Sequence, residues 1–119
     1  MTIKAALAGI AVFHLEDSLV WYERLLGRPP DRRPMATVAE WHFAGGGGLQ
    51  IFEDSERGGT SSVTLVDTDI DERMDELKKQ GISIRSTSNL AIARICIIGD
   101  PDGNQIVFAE SNNRHRAVA

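Results

Sequence analysis

Apolar and polar positions run along this chain in two blocks of the same order. Residues 3–13 are apolar, with Gly9 as the one breaker, and predict a first strand buried on both faces. Residues 14–18 end it. Asp17 or Ser18 can cap a helix in which Leu19, Tyr22 and Leu26 recur at helical spacing and Trp21 and Leu25 widen the apolar face. Gly27 suits the helix end, and Pro29 and Pro30 prevent its continuation. A polar connection over 31–34 and a short strand near 35–38 follow. Residues 40–43 and 49–52 then alternate like two strands around the glycines at 45–48. A phosphate cradle would need a Lys-Ser/Thr pair and a helix start after those glycines. Neither is present, so the run reads as a flexible hairpin tip.

The second block opens after a charged, glycine-containing loop over 53–60. Residues 61–66 form a strand with Val63 and Leu65 on one face. The aspartates between 67 and 71 offer helix caps, and Ile70, Met74, Leu77 and Ile82 mark the apolar face of a helix that Gly81 terminates. Residues 82–86, 92–98 and 105–109 are three further strands, and 111–119 is a polar, basic tail. The same unit, strand, helix and about three strands, therefore occurs over roughly 3–53 and again over 61–110. That is an α+β chain of two βαβββ modules. A ferredoxin-like βαββαβ domain uses similar pieces and would absorb the short strands as loops.

Composition narrows the classes. A chain of 119 residues, 42% hydrophobic and 25% charged, fits one globular domain over 1–119. The net charge of −4, with no basic stripe, argues against nucleic acid. Arg94, Glu16 and Asp17 break the apolar runs below membrane-spanning length, and the first residues do not read as a secretory signal. The single cysteine, Cys96, rules out an internal disulfide and fits a reducing cytoplasm.

Two motifs carry a resemblance. Asp100-Pro-Asp-Gly-Asn104 is a tight-turn sequence, with Pro101 pre-setting φ and Gly103 accepting φ > 0. At the front stand Asp17-Ser18, Trp21-Tyr22 and Leu26-Gly27. Together, over nearly the whole chain, they resemble the vicinal-oxygen-chelate superfamily of glyoxalase and bleomycin-resistance proteins. The resemblance implies eight strands curled into a cup-shaped sheet with both helices on its convex side. It also implies, in metal-dependent members, four ligands on the concave side holding a divalent cation. Carried over, those positions fall on Leu7, Gln50, Ser62 and Val107. Leucine and valine bind no metal, and the set lacks the carboxylate or imidazole groups that a desolvated dication requires. The expectation is no metal and no cofactor.

Hairpin symmetry predicts the rest of the pocket. An even loop over 45–48 would set Phe43 opposite Gln50 and Trp41 opposite Phe52, all on the concave face. An even tip over 100–103 would set Cys96 opposite Val107 and Arg94 opposite Ala109. The expected ligand-binding wall is Leu7, Trp41, Phe43, Gln50, Phe52, Ser62, Thr64, Arg94, Cys96 and Val107, apolar and aromatic with few polar points. The competing reading has Trp41, Phe43 and Phe52 filling the core, Arg94 snorkelling and Cys96 inert. His14, His42 and His115 have no metal-ligand spacing and read as surface or strand histidines. The functional expectation is a metal-free small-molecule binder, cytoplasmic and homodimeric. The alternatives are a lyase, isomerase or dioxygenase with a non-standard metal site, and a structural dimerisation domain.

Overall fold

The computed structural model describes residues 2–89 and 91–111; the basic tail of the sequence reading lies largely outside them. The chain runs β1 (Leu7–Val12), α1 (Leu15–Leu26), β2 (Arg32–Met35), β3 (Val38–His42), β4 (Gly48–Glu53), β5 (Ser62–Val66), α2 (Ile70–Lys79), β6 (Ser86–Asn89), β7 (Ala93–Gly99) and β8 (Gln105–Ser111). Two four-stranded sheets result, ordered β1-β4-β3-β2 and β5-β8-β7-β6. The orders are the same, so the βαβββ unit does occur twice. In each module the first strand pairs in parallel with the last, β1 with β4 and β5 with β8, and the other pairs are antiparallel. The eight strands do not close into one ladder: β1 and β5 lie side by side as the inner edges of separate sheets.

Each sheet has a helix on one face. Along β1 the residues Ile10 and Val12 point under α1, and along β4 Leu49 and Ile51 do so beside them. With Leu15, Leu19, Tyr22, Leu25, Ala39 and Trp41 they form the core of the first module. Val63, Ile70, Leu77, Cys96, Ile98, Ile106 and Phe108 do the same in the second. Among the described residues, no helix covers the opposite faces. Residues 2–9 are exposed, so the first strand is shorter than the apolar run and is not buried on both sides. A strand begins where a partner does, and Leu7 is the first residue with one, Gly48. For the same reason Ile82 and Ile84 pack on the core as coil, and β6 starts at Ser86, opposite Ile97.

The helix starts differ from the expected caps in an instructive way. α1 begins at Leu15, ahead of Asp17 and Ser18, and His14 makes no side-chain cap bond. The free Leu15 N–H instead donates to Glu53 Oε1 at 3.0 Å. In the second module the Ile70 N–H donates to Glu110 Oε1 at 2.7 Å, while Asp69 accepts from the Glu72 N–H. Glu53 is the last residue of β4 and Glu110 the last but one of β8, so one carboxylate per half answers the positive end of its helix. Gly27 ends α1 at φ 77°, as its position predicts.

The Asp100–Asn104 turn joins the modules. Its Asp100 carboxylate accepts from the Asp102 and Asn104 N–H groups at 2.9 and 2.8 Å, from Asn104 Nδ2 at 2.8 Å and from the Tyr22 hydroxyl at 2.6 Å. Asn104 Nδ2 also donates to the Ala11 carbonyl, and Asn104 Oδ1 accepts from the Ser61 N–H. Asp102 accepts from the Phe13 N–H. The two sequence signatures, 78 residues apart between Tyr22 and Asp100, are one hydrogen-bonded contact.

Candidate functional site

The helix-free faces are built from rows set by strand register. Across the first sheet His42, Gly48 and Leu7 form one row, Glu40, Gln50 and Gly9 the next, and Val38, Phe52 and Ala11 the third. The matching rows of the second sheet are Gly99, Gln105 and Ser62; Ile97, Val107 and Thr64; and Ile95, Ala109 and Val66. The first wall therefore carries charge and hydrogen-bonding groups, while the second is mainly aliphatic. The Phe52 ring lies against Gly9, where any Cβ would meet it at 3.1 Å, and Arg57 covers the same ring at 5.2 Å.

Glu40 is the centre of the polar wall. Its side chain is only 9% exposed, with Oε1 3.1 Å from His42 Nε2 and Oε2 3.2 Å from Gln50 Nε2. Those two hydrogen bonds, His42 first, hold the Glu40 carboxyl below the usual carboxylate range. His42 keeps 47% of its side chain exposed. Its backbone is clamped by Asp31, which accepts from the His42 N–H, and by Arg28, which donates to the His42 carbonyl. Sequence reading passed over Glu40 and took His42 for an ordinary strand histidine. The signal was their spacing of two along a strand, which puts both side chains on one face.

Both hairpin registers differ from the even-loop expectation, for one reason. Trp41 pairs with Leu49 and Glu40 with Gln50; Cys96 pairs with Phe108, Ile97 with Val107 and Arg94 with Glu110. Each loop holds five residues, 43–47 and 100–104, and an odd loop turns the partner strand by one residue, hence by one face. Leu7, Gln50, Phe52, Ser62, Thr64 and Val107 stand on the helix-free face as expected. Trp41 and Cys96 do not: both are fully buried beneath the helices, Trp41 beside Tyr22 with its indole N–H donating to the Arg28 carbonyl. Burial pushes the Cys96 thiol up. Arg94 is also on the helix side, where it bridges both oxygens of Asp71 at 3.0 and 2.8 Å. Phe43 opens the first loop and packs towards the core.

A second opening was not foreseen. β1 and β5 are tied at one end, where the Ala11 N–H donates to Ser61 Oγ, and they part towards Leu7 and Val66. The gap is a cleft of about 840 Å³ lined by Leu7, Phe43, Gly45–Gly48, Val66, Arg73 and Phe108, among others. It runs through the seam between modules, and strand-by-strand reading of either half cannot reveal it.

The residues present do not fit a divalent metal. Leu7 and Val107 offer no donor, Ser62 accepts from Gln105 Nε2, and the Gln50 amide nitrogen is turned to Glu40. Among the described residues, no group of three or more His, Cys, Asp and Glu side chains converges as a metal site.

No family model and no curated protein sequence matches the chain. Solved structures do. A glyoxalase/bleomycin resistance protein from Catenulispora acidiphila DSM 44928 is 32% identical, with a TM-score of 0.83 over 92% of this chain and 100% of that one. A lactoylglutathione lyase from Agrobacterium tumefaciens, 14% identical, matches at TM-score 0.77 over 92% and 94% of the two chains. The antibiotic-binding protein TnmS3 from Streptomyces sp. CB03234, 18% identical, matches at 0.73 over 94% and 99%. The last two share the fold; the first, at 32% identity along its whole length, shows that this chain belongs to the glyoxalase/bleomycin resistance protein family.

Proposed function

We propose that this protein binds a small, largely apolar or aromatic molecule on its helix-free face, without a metal or other cofactor. One observation carries the reading: Phe52, Ile95, Ile97 and Val107 are only partly buried and stand together on sheet faces that no helix covers among the described residues. An apolar surface flanked by a few hydrogen-bonding groups is the composition of a ligand wall. The donor set argues in the same direction, since no carboxylate or imidazole stands at the positions where metal-dependent relatives would need one. An antibiotic-binding protein of the same fold gives a precedent for the ligand class, as a lyase does for the competing enzymatic reading.

The reading includes a homodimer. Leu7 and Val66, 37% and 79% exposed, stand at the parted ends of the two inner edge strands, and a second copy related by a two-fold axis would cover them. Light scattering on a size-exclusion column should report twice the chain mass. A buried free thiol is compatible with the cytoplasm as its compartment.

The test is a thermal-shift screen of aromatic metabolites and antibiotics, run with and without added divalent metal, beside elemental analysis of untagged protein. Stabilisation by an apolar compound in the presence of chelator is the expected result. A stoichiometric divalent metal, or turnover that depends on one, would replace binding by enzymatic chemistry.

A further inference from the structure

The two helices end beside each other and are tied by a reciprocal pair. Arg24 Nη2 donates to the Gln80 carbonyl at 2.8 Å, and Gln80 Nε2 donates to the Arg24 carbonyl at 2.7 Å. Beside that pair lies a hollow of about 540 Å³, which shares no lining residue with the seam cleft. Trp21 and Arg24 of the first module and Ile82, Ser83, Arg85 and Gly99 of the second are among its walls. Arg28, Arg33, Arg57, Arg73 and Arg94 each pair with a carboxylate. Among the described residues Arg24, Arg32 and Arg85 do not, and two of these three line this one hollow. With 17 Asp and Glu against 13 Lys and Arg, the chain is not short of partners for them. The partial negative charge of the helix ends accounts for Arg24, which bonds the Gln80 carbonyl. It does not account for Arg85, whose guanidinium lies over Gly99, where any Cβ would collide with Nη2. The one carboxylate of the hollow, Asp100, is 7% exposed, and both its oxygens are occupied by its own turn and by Tyr22. Trp21 is half-buried against Tyr22, and its indole N–H has no partner among the described residues.

We propose that this hollow binds an organic carboxylate with a flat apolar body. Arg85 and Arg24 hold the carboxylate, since a guanidinium presents planar paired donors that match it. The body lies against Trp21 and Ile82. None of Phe52, Ile95, Ile97 and Val107 lines the hollow, so the site is independent of the ligand wall described above. Its walls come from both modules, and a bound molecule therefore stabilises their docking.

Benzoate, benzamide and inorganic phosphate separate the two halves of the assignment: benzamide keeps the ring without the charge, and phosphate keeps the charge without the ring. In NMR titrations of the whole protein, benzoate should shift the amide signals of Gly81, Ser83 and Gly99 and the indole N–H of Trp21. The indole N–H of Trp41, buried and bonded to the Arg28 carbonyl, should stay in place. Benzoate should bind at least about tenfold more tightly than benzamide, the factor that one hydrogen bond between charged groups supplies. It should also bind more tightly than phosphate. Arg85→Gln should remove most of the preference over benzamide and leave the unfolding temperature unchanged, because that side chain bonds nothing among the described residues. Arg32→Gln, which alters an arginine outside the hollow, should leave benzoate affinity as it is. Benzamide or phosphate binding as tightly as benzoate, or equal losses in the two variants, would overturn the site. Shifts confined to the helix-free face would overturn it as well, with the binding reading above still standing.

Discussion

The two hairpin loops, 43–47 and 100–104, have one backbone design and two different fates. In the first the Phe43 N–H donates to the Gly47 carbonyl and the Gly46 N–H to the Phe43 carbonyl, at 3.1 and 3.0 Å; in the second Asp100 and Asn104, and Gly103 and Asp100, repeat those bonds at 2.9 and 3.0 Å. Gly46 and Gly103 occupy the same positive-φ position, at 112° and 101°. The side chains differ. Phe-Ala-Gly-Gly-Gly leaves its loop held by backbone alone, on the rim of the seam cleft. Asp-Pro-Asp-Gly-Asn ties its loop to β1, α1 and the start of β5. A loop of fixed length is enough to set register, and only its side chains decide whether it also locks two modules together.

That comparison can be broken most severely at Asp100. Asp100→Ala removes the acceptor of the Tyr22 hydroxyl, of one of the two Asn104 Nδ2 hydrogens and of the Asp102 and Asn104 N–H groups, at a cost of about 3 kcal/mol or more in urea unfolding. A loss near zero would mean that the turn does not join the halves.

A smaller effect is expected from the alkaline side. Burial, then the Asp100 carboxylate, push the Tyr22 phenol far above its ordinary range. Because its folded pKa is raised, its contribution to stability is full below the unfolded value of 10.0 and is lost as pH rises beyond it. Tyr22 is the chain's single tyrosine, so phenolate absorbance should stay absent until the protein unfolds. Phenolate appearing in folded protein near pH 10 would contradict a buried Tyr22–Asp100 contact. Tyr22→Phe should cost roughly 1.5–3 kcal/mol, as for other hydrogen bonds to a charged group.

The glycine loop should respond least. Gly47, at φ 68°, would lose about 1–2 kcal/mol on replacement by alanine, because L side chains avoid that region. Gly45 has open space where a Cβ would stand, and Gly45→Ala should change the unfolding free energy by less than about 0.5 kcal/mol. Equal losses at both positions would show that something other than backbone conformation governs this loop.

The pattern of apolar positions was enough to find both modules, both helices and both hairpin tips, since those depend on local periodicity and turn residues. The turn signature was also read correctly as a marker of fold. What escaped was the function of its side chains: nothing in the order of residues says that Asp100 meets Tyr22. The candidate site was legible only in part. Leu7, Gln50, Phe52, Ser62, Thr64 and Val107 fell on the helix-free face, while Trp41, Arg94 and Cys96 fell under the helices and Phe43 in a loop. Glu40 and His42 took the place expected of Trp41 and Phe43.

A parity decided that exchange. Alternation along a strand makes two faces recognisable, but which face meets the helix depends on whether the loop before the partner strand is odd or even. Glycines and a proline announce a turn without stating where pairing resumes. The sequence by itself therefore determined the repeat and the fold family. Tertiary structure decided the five-residue loops, the Tyr22–Asp100 contact and the Glu40–His42–Gln50 wall, because each arises where separately coded segments come to share one buried space.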